Sequence, residues 1–214
     1  MMKYSTLMLC LWVPLISFSQ ITTSEIDPSK WEPPYSLDFP TGWGVERFLI
    51  PISFAPQIPY KGMEDIRFMP GWGKAASSEY WTYAFLWYLD GQQKVSANTL
   101  EHHLKEYYTG LVAAMHNDSS GNKPITVKTK IKKGKKQKGD IKTFYGSIYM
   151  LDYMANQPIT LYCKVHLKSC SGQNHTFIFY EISPKPYSDS LWHSLDKLWT
   201  DFSCEKSAEK KKPG

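Results

Sequence analysis

The run Glu101-His102-His103-Leu104-Lys105-Glu106 brings two histidines and two carboxylates together, and the chemistry it invites is metal binding. A zinc-protease helix needs histidines four residues apart with a glutamate between them, whereas His102 and His103 are adjacent. They read as solvated polar residues opposite an apolar stripe. Cys163 and His166 look like a C-x-x-H pair, but an odd offset on a strand sends them to opposite faces. Cys170 and His175 flank a short loop and supply two ligands, too few for a site. No metal and no cofactor is expected.

Nucleophilic and phosphate-binding motifs are missing too: there is no G-x-S-x-G elbow, P-loop or dinucleotide-binding glycine run. Cys163 faces the expected core, where a thiolate is costly. Among carboxylates, Glu64 and Asp65 point to opposite faces of a short strand. Glu79 precedes an aromatic strand, and Glu181 shares a face with Phe177 and Phe179. A carboxylate beside aromatic rings can be held protonated and act as an acid, which makes Glu79 and Glu181 the residues a hydrolase would use. Strand ends also leave such groups in water, and that reading is preferred, so no catalytic residue is assigned. Glu46, Arg67 and Glu79 are candidates for an ion-pair cluster across the N-terminal strands.

Positive charge is concentrated in one place. Lys128–Lys142 holds eight lysines and one aspartate, +7, so with a total of +5 the rest of the chain sums to −2. Ile125, Val127, Thr129 and Ile131 alternate with Thr126, Lys128, Lys130 and Lys132, a half-buried strand with a lysine outer face. Lys133, Lys135, Lys136 and Lys138 follow in a glycine-containing turn. Such a hairpin either protects a strand edge from aggregation or docks an anionic surface, polysaccharide or protein. With neither an arginine fork nor an aromatic residue inside the loop, specific nucleic-acid recognition is not expected.

Aromatic residues crowd a second stretch, Ser78–Gly91. At strand period Trp81, Tyr83, Phe85, Trp87 and Leu89 share one face, and Tyr80, Thr82, Ala84, Leu86 and Tyr88 share the other. Both faces are largely apolar, so this is a central strand covered on both sides. Any ligand it contacts sits in an internal cavity lined by Trp81, Tyr83, Phe85 and Trp87.

The elements that must position these groups follow from pattern and punctuation. Residues 1–19 read as an export signal: Lys3, a short apolar run from Leu7 to Ile16, then Ser17-Phe18-Ser19. Residues 20–40 are an irregular lead-in, 41–204 one α+β domain, and 205–214 a disordered charged tail. No later stretch approaches the ~20 apolar residues of a membrane helix. Export places the chain in a disulfide-permissive compartment, periplasmic or extracellular. Cys163 and Cys170, read on one strand, are too far apart to pair; Cys170–Cys204 is the preferred bridge with Cys163 a buried thiol, and three free thiols are the alternative.

Strands are expected in Val45–Pro56, with Pro51 demanding an edge or a bulge, in Met63–Met69 and in Glu79–Leu89. Two G-W-G turns, at Trp43 and Trp72, each tuck a tryptophan onto the core. A helix capped by Asn98 with Glu101 as its box partner carries Leu100, Leu104, Tyr107, Tyr108, Leu111, Val112 and Met115 on one face. Four strands follow, near 125–133, 141–152, 159–168 and 175–182. In the third, Thr160, Tyr162, Lys164, His166 and Lys168 form the polar face. A final helix capped by Ser188 presents Leu191, Leu195, Leu198, Trp199 and Phe202.

The fold class is therefore α+β: a twisted antiparallel sheet of six or seven strands flanked by a mid-chain and a C-terminal helix. This element order is similar to the PsbP-like fold, with a helix-grip arrangement as the alternative. The segment Glu46–Gly91, with its "FAP", "KGMEDIRFMPGW" and "YAF" runs, resembles a group of exported bacterial proteins of unknown function. That resemblance implies a Gram-negative exported protein and supplies no site residues. The function expected is a non-enzymatic binding or assembly module docking an anionic partner through Lys128–Lys142. An apolar small-molecule or lipid carrier and a carboxylate hydrolase are the alternatives.

Overall fold

The computed structural model describes residues 27–116 and 125–206. The expected export signal and the tail beyond Lys206 lie outside the described residues. Seven strands form one sheet: β1 (Gly44–Ile50), β2 (Gly62–Phe68), β3 (Tyr83–Asp90), β4 (Lys128–Lys133), β5 (Lys142–Asp152), β6 (Gln157–Lys168) and β7 (His175–Ser183). Their spatial order is β1-β2-β3-β7-β6-β5-β4, and every neighbouring pair is antiparallel. Helix α1 (Ala97–Met115) carries the chain from β3 to the far edge at β4, and α2 (Leu191–Thr200) follows β7. The expected α+β antiparallel layout is thus the observed one. Among the described residues no helix is long and apolar enough to cross a membrane.

The sheet separates two cores. On one side Tyr83, Phe85, Trp87 and Leu89 pack with Leu104, Tyr107 and Tyr108 of α1. On the other, Ala84 and Leu86 meet Phe177, Phe179, Leu195, Leu198 and Trp199 beneath α2. β3 is a central strand covered on both faces, as its double apolar pattern requires. The strand begins later than its sequence suggests. Trp81 lies in the preceding turn with φ +54°, a left-handed conformation rare for a bulky residue. That turn interrupts the alternation, so Tyr80 joins Trp81 in the α1-side core instead of sharing a face with Ala84.

β1 ends at Ile50 ahead of Pro51, and it is an edge strand, where a residue lacking N–H costs no ladder bond. Both expected helix starts are corrected. The α1 cap is Ser96, whose hydroxyl accepts from Thr99 N while Thr99 Oγ1 accepts from Ser96 N. At α2 the N-cap is Ser190, and the side chain that satisfies the first turn is Asp189, whose Oδ1 accepts from Leu191 N at 2.9 Å. β4 also begins at Lys128, three residues after its apolar alternation starts.

The lead-in crosses the α2 side of the sheet. Tyr35 and Leu37 are buried there, and Ser36 forms an antiparallel bridge with Ser203. Cys170 and Cys204 are joined in a disulfide with Cα atoms 5.7 Å apart, and Cys163 is a buried free thiol. Because β6 ends at Lys168, Cys170 lies beyond the strand that carries Cys163.

Candidate functional site

The lysine strand β4 presents an open surface. Thr129 and Ile131 turn toward α1: the Thr129 hydroxyl donates to the Glu101 carbonyl, and Ile131 N–H donates to Glu101 Oε2, both at 2.8 Å. Glu101, expected in the helix cap, instead fastens β4 to α1. Lys128, Lys130 and Lys132 therefore emerge on the opposite face, where the α2-side core includes no residue of β4 or β5. Lys133 leaves by the α1 face, and Lys135, Lys136 and Lys138 are exposed in the turn. The register sets Lys128 beside Tyr149, Lys130 beside Ser147 and Lys132 beside Tyr145. The next strand adds Thr160, Tyr162 and Lys164 to the same three rows.

These residues form a groove of about 330 Å³ lined by Lys130, Lys132, Tyr145, Ser147, Tyr162 and Tyr187. Tyr187, from the segment before α2, closes one side. Its ring centroid is 5.6 Å from Tyr145 and 5.5 Å from Tyr162, and its hydroxyl lies 2.8 Å from the Cys163 carbonyl. Strand rise sets successive lysines on β4 about 6.6 Å apart, and Lys128 Nζ stands 6.0 Å from the Tyr149 ring. The aromatic residues missing from the loop sequence are supplied by neighbouring strands.

A second, apolar chamber of about 360 Å³ lies between β1–β3 and the last turn of α1. Trp81 and Tyr83 line it as expected. Phe85 and Trp87 do not: both are fully buried, because the Tyr107 ring stacks 5.5 Å above Phe85 and lies 6.2 Å from Trp87. The remaining wall includes Tyr107, Leu111 and Met115 of the apolar face of α1, Trp72 of the second G-W-G turn, and Phe54 and Phe68, which no sequence pattern assigned to a cavity. Gly110 permits this, since a Cβ there would come within 1.7 Å of the Phe54 carbonyl. Beneath the chamber, Glu64 is fully buried and accepts from the Tyr107 hydroxyl at 2.9 Å. Burial pushes the Glu64 carboxyl up to about 8, against the easing effect of that hydroxyl.

The polar face of β6 runs under α2 and is sequestered in its second half. His166 has no exposure; its Nδ1 is 2.8 Å from Asp140 Oδ2, and its Nε2 approaches Glu181 Oε1 at 3.2 Å without hydrogen-bond alignment. Asp140 also accepts from Trp199 Nε1 at 2.7 Å and from Thr143 Oγ1. Burial alone would depress His166, but the two carboxylates outweigh it and raise the imidazole to about 9. Burial likewise opposes ionisation of Asp140, yet bonds from His166, Thr143 and Trp199 hold it below the usual carboxylate range. Lys164 Nζ bridges Asp196 at 2.6 Å and Glu181 at 3.4 Å, beside the Trp192 ring. His166, Glu181 and Asp196 lie within ligand distance of one another. The Lys164 ammonium bridges the two carboxylates and the His166 imidazole stands against Glu181, so the cluster is an ion-pair network.

Several expectations are corrected by this network. His166 and Lys164 do not face water, and neither does Glu181, which is fully buried and out of reach of a substrate. Glu79 accepts from Gly71 N–H at 2.6 Å and shapes the turn before β3. Glu46, Arg67 and Glu79 do not cluster. Arg67 pairs with buried Asp65 at 2.5 Å, and Arg47 joins it at 3.1 Å. The same guanidinium donates to the carbonyls of Asp38 and Leu37, which fastens the lead-in. His103 is buried edge-on against Tyr60, and burial lowers it to about 4.

Comparisons of the chain with protein-family models, curated proteins and solved structures find no match.

Proposed function

We propose that the protein is an exported, non-enzymatic binding module whose open sheet face holds an acidic polysaccharide. The observation that carries this reading is the mixed surface of Lys128, Lys130 and Lys132 with Tyr145 and Tyr149, on strands absent from the α2-side core, with half-buried Tyr162 at its border with that core. Ammonium groups at about 6.6 Å intervals offer ion pairs to a chain of carboxylates or sulfates, and tyrosine rings offer faces on which sugar rings lie. A groove walled by Tyr187 suits one extended chain better than a flat lipid surface. Lysine without arginine favours point-charge attraction over bidentate base reading.

The test is retention on immobilised heparin across a salt gradient. Replacing Lys128, Lys130 and Lys132 together by glutamine is expected to shift elution to markedly lower salt. The same change at Lys133, Lys135 and Lys136, off the groove, shifts it less. Equal shifts would assign attraction to net charge alone, and preferential retention of single-stranded DNA over heparin would replace the polysaccharide with nucleic acid.

A further inference from the structure

We propose that the chamber between β1–β3 and the C-terminal turn of α1 is a binding site for a small organic cation, a tertiary or quaternary ammonium on an apolar body. This goes beyond the polysaccharide reading and occupies the opposite side of the sheet. At about 360 Å³ the chamber falls at the small end of the range for ligand sites. Its wall is largely aromatic: Trp72 and Trp81 meet at 5.9 Å between centroids, Phe68 lies 4.5 Å from Trp72, and Tyr153 lies 5.1 Å from Trp81. Ring faces attract a cation through their quadrupoles, most strongly when water is excluded.

Charge points the same way. Among the described residues Glu46 is the one formally charged side chain lining the chamber. It is exposed at the mouth and takes part in no hydrogen bond or ion pair among the described residues. Glu64 lies beneath, and the Glu46 charge adds to the burial that opposes its ionisation, so the two carboxylates feel one another. Among the described residues no lysine or arginine lines the chamber to neutralise Glu46. A neutral apolar ligand would leave Glu46 idle and an anion would be repelled, whereas an alkylammonium meets both the rings and the carboxylate.

The probe pair is choline and its neutral carbon isostere 3,3-dimethylbutan-1-ol, equal in shape and different in charge. Ligand-observed NMR titration of the mature chain is expected to give saturable choline binding about tenfold tighter than that of the alcohol. Glu46→Gln, an exposed change that spares the fold, is expected to shrink that ratio several-fold while leaving alcohol affinity unchanged. Leu111→Trp, on the chamber wall, is expected to abolish binding of both, with circular dichroism reporting the folded state. Equal affinity for the two probes, tighter binding of the alcohol, no saturable binding of choline, or binding unaffected by Leu111→Trp would each overturn the proposal.

Discussion

His166 Nδ1 lies 2.8 Å from Asp140 Oδ2 in the buried layer under α2, and this contact ties the base of the lysine hairpin to the middle of the sheet. Asp140→Asn removes one of the two carboxylates that keep the imidazole charged and leaves Glu181. Breaking one side of a buried ion pair costs about 3–5 kcal/mol when the remaining charge is left without compensation, and with Glu181 still beside the ring the loss falls at the lower end of that range. Urea denaturation is expected to show a loss of that order. Asp140 also holds Trp199 of α2, so near-UV circular dichroism should lose intensity as well.

The same histidine sets an alkaline limit. Its folded value near 9 stands above the ordinary 6.5, so its stabilisation is fully present below about pH 6.5 and is lost as pH rises through about 9. Denaturation midpoints measured from pH 6 to 10 are expected to fall across that window. A flat profile would show that the imidazole stays neutral in the folded protein.

Glu64 behaves similarly on the other side of the sheet. Its folded value near 8 exceeds the ordinary 4.5, so stability on its account is present below about pH 4.5 and declines as pH rises through about 8. Glu64→Gln keeps an acceptor for the Tyr107 hydroxyl and cannot ionise. The variant is expected to gain stability relative to the native chain at pH 8 and to lose part of the pH dependence between 5 and 8.

Gly134 faces the Tyr145 ring so closely that an added Cβ would stand 2.3 Å from it. Gly134→Ala is expected to push Tyr145 out of the groove and weaken heparin retention while the lysine count is unchanged. Retention equal to that of the native chain would remove Tyr145 from the binding surface.

Reduction of the Cys170–Cys204 bridge frees a connection spanning 34 residues, with a chain-entropy cost of about 3–4 kcal/mol. The bridge fastens the segment after α2, which carries Phe202 and the Ser203 pairing with the lead-in. Cys170→Ser with Cys204→Ser is expected to lower the thermal midpoint and expose the lead-in to proteolysis near Ser36.

Much of this architecture is local and therefore written in the chain. Two apolar faces in Tyr83–Leu89 required a strand covered on both sides, and alternation in Lys128–Lys132 separated core from lysine. Other features depended on which element came to rest on which. Along β6, Thr160, Tyr162, Lys164 and His166 form one uninterrupted polar stripe, yet Thr160 is exposed while Lys164 and His166 are buried. Only the docking of α2 across half of the strand makes that division. Likewise the chamber draws on β1, β2, β3, α1, the loops between the first three strands and the β5–β6 turn, and no spacing along the chain links one element's residues to another's. Periodicity records which side of an element is apolar. Partner, depth and the meeting of distant charges are decided when the layers pack, because burial and desolvation act on the assembled surface and not on the residue alone.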